Sequence, residues 1–144
     1  MHAWCKWLAV AMAVPWCALA QSKLDEGNWH ITTKSTTNGK PEPVQEQDEC
    51  LRDELKDLAA YFSPALEGVA AKCTRTPKKA PDGTIAYKLR CVGKGFTMDA
   101  SSEVKIAGPR QFTVILKVDS KTTKERAVVE ARAEGRHTGS CKPG

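Results

Sequence analysis

The sequence predicts a mainly β (α+β) domain: an antiparallel β-meander, as an open sheet or a partial barrel, with one helix packed near the N-terminal half. Apolar and polar residues alternate in several stretches separated by turn sequences, which is typical of antiparallel strands with one buried face. One segment, around Leu55, changes to helical spacing. No repeat and no long linker interrupts residues 21–144, so these residues are expected to form a single domain.

Residues 1–20 have the features of a cleaved signal peptide. Lys6 precedes an apolar run from Trp7 to Val14, and Ala18-Leu19-Ala20 places small residues at alternate positions. A membrane-spanning helix needs about 20 apolar residues, so this run is too short for an anchor. Cleavage after Ala20 predicts a periplasmic or secreted mature chain with no transmembrane segment. Because Lys6 is the only charged residue removed, the formal net charge falls from +5 to +4.

The mature chain is expected to begin with a strand and a tight turn. Trp29, Ile31 and Thr33 alternate with polar residues, and Asn38-Gly39 is typical of a two-residue hairpin turn. The polar residues 40–49 include Pro41 and Pro43. Because proline has no N–H for a sheet ladder, this stretch is predicted to be at best an edge strand.

A helix is predicted between the edge strand and Pro64. Its apolar positions follow helical spacing, and acidic residues lie early in the segment. The apolar positions are Leu51, Leu55, Leu58, Ala59 and Phe62. We interpret this stripe as part of the core.

Alternation resumes after Pro64 and predicts the remaining strands. Apolar residues occupy every second position in the segments 85–91, 96–100, 112–118 and 127–133, and the second of these continues to Val104 and Ile106. Turn residues separate the strands at Pro81-Asp82-Gly83, Ala107–Arg110 and Asp119-Ser120-Lys121.

Four cysteines, Cys50, Cys73, Cys91 and Cys141, remain after the signal peptide, and an even number in a small exported chain indicates two disulfides. A zinc site is disfavoured because no two of them have the close spacing of a zinc knuckle. Cys73 and Cys91 are equally far from Asp82, so a hairpin folded there would set them opposite each other. Cys50 would then pair with Cys141 and tie the C-terminal tail to the start of the helix.

The histidines, serines and acidic residues form no recognisable catalytic or metal-binding pattern. His30 and His137 are interpreted as exposed side chains, and Ser140 does not lie in a nucleophile elbow. Asp53 and Asp57 could share a helix face with Glu49, but acidic residues are common in a first helical turn, where the helix dipole favours them.

Lys94 lies between Gly93 and Gly95, which resembles a fragment of a phosphate loop. The rest of that motif is missing, so the glycines are interpreted as a bend between strands. We expect no catalytic residue and no cofactor.

Basic residues form the most suggestive surface pattern. The candidates for a patch that binds anionic surfaces are Lys72, Arg75, Lys78, Lys79, Lys121, Lys124 and Arg126. If the two turns that these residues flank lie at one end of the sheet, they would attract anionic lipids, lipopolysaccharide or acidic polymers. The alternative is that lysines at strand edges only prevent sheets from pairing. Nucleic acid is not an expected partner, because the basic stretches lack aromatic residues for base stacking.

A series of short motifs runs in order along residues 27–141. They are Gly27-Asn28-Trp29, Cys50-Leu51, Cys73-Thr74, Cys91-Val92-Gly93 and Gly139-Ser140-Cys141. With these motifs the chain resembles the exported proteobacterial family known as domain of unknown function 3617 (DUF3617). It departs from that pattern at Pro41-Glu42-Pro43, where related chains tend to be Met-rich. The resemblance supports the topology and the exported location, and it implies no activity, substrate or cofactor.

These observations favour a non-enzymatic binding protein of the cell envelope, whose partner is an envelope lipid, an anionic polymer or an exported protein. A hydrophobic pocket beside Trp29 and Phe112 would support a small apolar ligand. The alternatives are an inhibitor or adaptor of another exported protein and a hydrolase with an unrecognised site.

Overall fold

A computed structural model describes residues 23–63 and 70–143. The predicted signal peptide and Pro64 lie outside these residues. The strands are β1 Gly27–Thr37, β2 Lys40–Pro41, β3 Gln45–Leu51, β4 Ala71–Lys79, β5 Ile85–Gly93, β6 Phe96–Gly108, β7 Gln111–Thr122 and β8 Arg126–Gly139. A 3-10 helix, Asp53–Asp57, leads into the short α-helix α1, Leu58–Tyr61.

The strands form one antiparallel sheet in the order β2-β1-β8-β7-β6-β5-β4, and β3 continues the β2 edge by pairing with β1. From β4 to β8 each strand pairs with the next along the chain, which is the predicted meander. The sheet is open, so the mainly β prediction is confirmed in its open form. Neither helical segment in the described ranges has the length and apolar character needed to span a membrane.

The N-terminal hairpin and the proline-rich edge follow the prediction. Asn38 and Gly39 have positive φ angles of 50° and 77°, which two-residue hairpin turns require. The residues after this turn pair with the outer edge of β1 in two short pieces, β2 and β3.

The predicted helix is shorter than its apolar spacing suggests. Leu51 ends β3 opposite Gly27 and is not helical, so the prediction of a helix from this residue is wrong. The segment opens as a 3-10 turn, and α1 begins only after Asp57, whose side chain accepts a hydrogen bond from the Ala60 backbone at 3.0 Å. Leu51 and Leu58 are both buried in the same core, because a strand end and a helix can present leucine to one apolar face.

The turn predicted at Asp119-Ser120-Lys121 lies inside β7. Asp119 is paired with Val128 and forms a bidentate ion pair with Arg126 at the start of β8. This ion pair joins β7 to β8 and stabilises the part of β7 that continues past Asp119 to Thr122. The chain turns three residues later, where the Thr122 hydroxyl accepts hydrogen bonds from the backbones of Lys124 and Glu125 at 3.2 and 3.1 Å. Local turn chemistry at Asp119 is therefore overridden by cross-strand pairing.

One face of the sheet, here called the inner face, carries the core and the helical segment. Its first cluster centres on Trp29, Ile31 and Phe112, with Leu58 packed from α1. A second cluster on the same face lies toward β4 and β5 and includes Cys91, Met98, Ala100 and Val118. The outer face carries cross-strand ion pairs such as Arg90 with Asp99.

The cysteines form the two pairs that the predicted hairpin at Asp82 implies. Cys73 and Cys91 are direct partners across β4 and β5 and are bonded to each other. Cys50 is bonded to Cys141, with 5.3 Å between the Cα atoms. Cys50 in β3 and Gly139 in β8 both pair with Asn28, so this bridge links the two strands that flank the start of β1.

Candidate functional site

A cleft of about 170 Å³ opens on the inner face beside the end of α1. Its floor is built from three adjacent strands, with Tyr87 and Leu89 from β5, Ala100 and Ser102 from β6 and Leu116 from β7. Ala60 and Ser63 from the end of the helical segment and Arg75 from β4 complete its lining.

The register of the sheet explains why the cleft lies there. Tyr87, Ser102 and Leu116 are direct partners in one row across β5, β6 and β7. The next row, with Val104 at its centre, is buried in the core that the helical segment covers. Because α1 ends at Tyr61 and Ala100 and Ser102 have small side chains, the inner face is depressed beside the helix.

Ser102 is the polar group at the bottom of the cleft. Its side chain is 5 % exposed, and its Oγ atom has no hydrogen-bond partner among the residues that the structure describes. A buried hydroxyl without a partner costs about 1–3 kcal/mol relative to a satisfied one. Its Oγ atom is closed off from solvent, so the side chain would have to change its χ1 rotamer to bond a polar atom of a molecule in the cleft.

Arg75 is held at the edge of the cleft by two neighbours. Its guanidinium lies 3.9 Å from the centre of the Tyr87 ring, a cation–π contact. Its Nη2 atom donates to both carboxylate oxygens of Asp57 at 3.2 Å, which links the edge strand β4 to the start of α1. These contacts use one of its three nitrogens, so the others can still donate at the cleft.

Tyr61 anchors the other end of α1. Its hydroxyl donates a hydrogen bond to the carboxylate of Glu49 in β3. Burial, with a smaller contribution from this hydrogen bond, raises the pKa of Tyr61 to about 12. The helix that lines one side of the cleft is thus tied at Asp57 to one edge of the sheet and at Tyr61 to the other.

The predicted basic patch is divided between the two ends of the sheet. Lys78 and Lys79 flank the β4–β5 turn, while Lys121, Lys124 and Arg126 flank the β7–β8 turn at the opposite end. Lys72 aligns with the second group, because Val92 and Thr97 connect its row to Lys121.

Arg75 lies between the two groups at the cleft, so the seven residues do not share one edge. Lys72, Lys78 and Lys79 do lie on the exposed edge strand β4. This position agrees with the alternative that they prevent sheets from pairing.

The histidines lie on β1 and β8 rather than on the strands that form the cleft floor, and His137 packs edge-on against Trp29 on the inner face with ring centres 5.5 Å apart. His30 contacts Asp48 at 3.0 Å, and His137 contacts the backbone oxygen of Glu26 at 3.2 Å. In the described parts of the chain, no group of three or more His, Cys, Asp or Glu residues could hold a metal ion.

The acidic residues that could have shared a helix face are engaged separately. Glu49 accepts from Tyr61, Asp53 pairs with Lys56 at 2.6 Å, and Asp57 pairs with Arg75. Lys94 lies in the turn between β5 and β6, and Ser140 follows β8.

A hydrophobic pocket beside Trp29 and Phe112 would have supported a small apolar ligand, and the close packing of these two side chains counts against a ligand at that position. Both side chains are 0 % exposed, and their ring centres lie 5.0 Å apart in the filled part of the core. The cleft lies farther along the same face and was missed. Its signal was a serine, Ser102, at an inward position of an otherwise apolar alternation from Met98 to Val104.

Comparison with known proteins supplies a family match. A family model described as "Protein of unknown function (DUF3617)" matches residues 24–141. No curated protein and no solved structure matches the chain.

Proposed function

The chain belongs to the DUF3617 family, and from this premise we propose that it is an exported, non-enzymatic protein that binds a small, largely apolar ligand in the cleft above Ser102. The main support for this proposal is Ser102, which lines a cleft with an apolar floor. Its buried hydroxyl has no hydrogen-bond partner within the described residues. Ligand sites in proteins commonly combine apolar walls with a few well-placed polar groups.

The dimensions of the cleft limit the group that it accepts. An engineered apolar cavity of about 150 Å³ holds a benzene molecule, and the cleft here measures about 170 Å³. One aromatic ring or a short branched acyl chain therefore fits. Ser102 and the remaining N–H groups of Arg75 favour a ligand with an acceptor oxygen next to its apolar part.

A binding role is favoured over hydrolysis by the surroundings of Ser102. A serine nucleophile needs a base within hydrogen-bond reach, and His30 and His137 are engaged on β1 and β8. The buried hydroxyl is better suited to recognise a ligand than to attack one.

The proposed export is supported by the two cysteine pairs at bonding distance. Structural disulfides persist in oxidising compartments such as the bacterial periplasm. Intact-mass analysis after expression in a bacterial host should give a chain that begins at Gln21 and lacks four thiol hydrogens. A full-length chain in the cytosolic fraction would contradict export.

Ligand binding is tested in two steps on the protein purified from the host envelope. Native mass spectrometry should detect a bound small molecule that is released on denaturation. Ligand-observed NMR with methyl benzoate, which has one ring and an ester carbonyl, should show saturation transfer. A protein that carries no ligand and gives no transfer would overturn the proposal.

A matched pair of tryptophan variants locates the binding. Ala60→Trp places a bulky ring at the helix side of the cleft, whereas Ala107→Trp places one at an exposed position near the end of β6. We expect the first variant to lose the methyl benzoate signal and the second to keep it. Equal signals in both variants would place the ligand elsewhere.

A further inference from the structure

Four lysines gather at one end of the sheet, away from the cleft. This basic end consists of Lys72, Lys94, Lys121 and Lys124, and all four side chains are exposed. Lys72 and Lys121 belong to one row of partners across β4 to β7. Neighbouring strands are about 4.8 Å apart, so the row spans about 14 Å.

Lys94 and Lys124 lie on two turns that approach each other. Lys94 is in the β5–β6 turn, and Lys124 is in the β7–β8 turn. A Cβ atom built on Gly95 would lie 3.2 Å from the Thr123 methyl group, so the two turns are adjacent. The lysines of the turns therefore extend the positive row to the tip of the sheet.

The acidic side chains nearby are already neutralised by arginines. Asp99 pairs with Arg90 at 2.7 Å, and Asp119 pairs with Arg126 at 2.6 Å. Within the described residues, no carboxylate lies at ion-pair distance from any lysine of the basic end. Glu125 is an exposed acid in the same turn as Lys124, and it leaves the lysines in excess.

Val92 adds an apolar element to this surface. Its side chain is 48 % exposed and occupies the same row as Lys72 and Lys121. Lysines spread around an exposed apolar side chain match a flat array of anionic head groups above an acyl layer. A single polymer chain would need the cations aligned along its own length.

From this arrangement we propose that the basic end docks the protein on an anionic phospholipid surface. Each lysine near such a surface adds a favourable electrostatic contribution to the free energy of binding, and salt weakens this contribution. The proposal is independent of the cleft, because the two regions use different residues and different faces of the sheet.

Flotation with lipid vesicles tests the proposal on the protein purified from the host envelope. Vesicles of phosphatidylcholine with about one third phosphatidylglycerol should retain the protein at low salt, in the range where surface charge attracts basic patches. Vesicles of phosphatidylcholine alone should not. Lys94→Glu/Lys124→Glu should weaken retention by at least about tenfold, since it changes two contact charges in sign.

The matched control makes the same change of net charge at the other end of the sheet. Lys78 and Lys79 are exposed beside the β4–β5 turn. Lys78→Glu/Lys79→Glu should retain most of the binding, and thermal unfolding should show that both variants remain folded. Equal losses in the two variants would overturn the proposal, because attraction would then follow net charge alone.

Two further outcomes would also overturn it. One is no retention on anionic vesicles at low salt. The other is binding to a soluble polyanion such as alginate without binding to vesicles, which would assign the basic end to a polymer.

Discussion

Phe112 lies directly over Gly135, its cross-strand partner in β8. A Cβ atom at residue 135 would overlap the Phe112 ring, and that ring is completely buried beside Trp29. Glycine is therefore required at this position for Phe112 to pack against Trp29 in the core.

Replacing this glycine should strain the core. We expect Gly135→Ala to lower the free energy of unfolding by about 1–3 kcal/mol, the usual cost of overpacking. Urea unfolding of the variant, alone and combined with Phe112→Leu, measures the coupling. The double variant should lose less than the sum of the two single losses, and strict additivity would contradict the contact.

Ser102→Ala should separate stability from binding. Because the buried hydroxyl has no partner within residues 23–63 and 70–143, its removal should leave the free energy of unfolding unchanged or raise it by about 1 kcal/mol. The same change should weaken methyl benzoate binding, because the ligand loses its hydrogen bond. Ser101→Ala is the matched control, since Ser101 points to the outer face of the same strand; a similar loss of binding in both variants would contradict the role of Ser102.

The two disulfides should differ in their contribution to stability. Chain-entropy estimates give about 3 kcal/mol for a loop the size of Cys73–Cys91 and about 4.5 kcal/mol for Cys50–Cys141, whose sequence separations are 18 and 91 residues. Cys50→Ala/Cys141→Ala should therefore destabilise the protein more than Cys73→Ala/Cys91→Val, in which valine fills the buried Cys91 site. Denaturant unfolding under oxidising conditions gives the order, and the reverse order would contradict this expectation.

Tyr61 should make stability depend on pH in the alkaline range. Burial and the hydrogen bond to Glu49 raise its pKa from 10.0 to about 12. Between these values the unfolded chain loses the phenolic proton while the folded chain keeps it, so stability falls as the pH rises through this range. Below pH 10.0 the contribution of Tyr61 to the free energy of unfolding does not change with pH. Absorbance titration should show a late phenolate step that is absent in Tyr61→Phe, and identical titration curves would contradict the assignment.

The sheet was largely predictable because its signals are local. Residues of alternating polarity define β1 and β5 to β8, and Cys73 and Cys91 show the hairpin register of β4 with β5 by their equal distance from Asp82. The residues at which strands and helices begin and end were harder to predict. Leu51 fits both a strand end and a helix stripe, and Asp119 has turn chemistry that its pairing with Arg126 overrides.

The cleft depends on relationships that the chain pattern does not contain. Ser102 could be noticed as a polar residue at an inward position, but its lack of a hydrogen-bond partner among the described residues depends on the packing around it, which the sequence pattern does not give. Arg75 was predicted as part of a surface patch, and it instead packs on Tyr87 beside the cleft. The division of the lysines between opposite ends follows from the number of strands, because three antiparallel strands, β5 to β7, separate the β4–β5 turn from the β7–β8 turn.

The bridge between Cys50 and Cys141 also has a mechanical consequence. It joins the two strands on either side of Asn28, so the first residues of β1 lie between strands that are covalently closed around them. A force pulling on the N-terminal end must shear both hydrogen-bonded ladders of β1 together, since neither flanking strand can move away from the other at that point. The disulfide therefore makes the start of β1 resist being pulled out of the sheet.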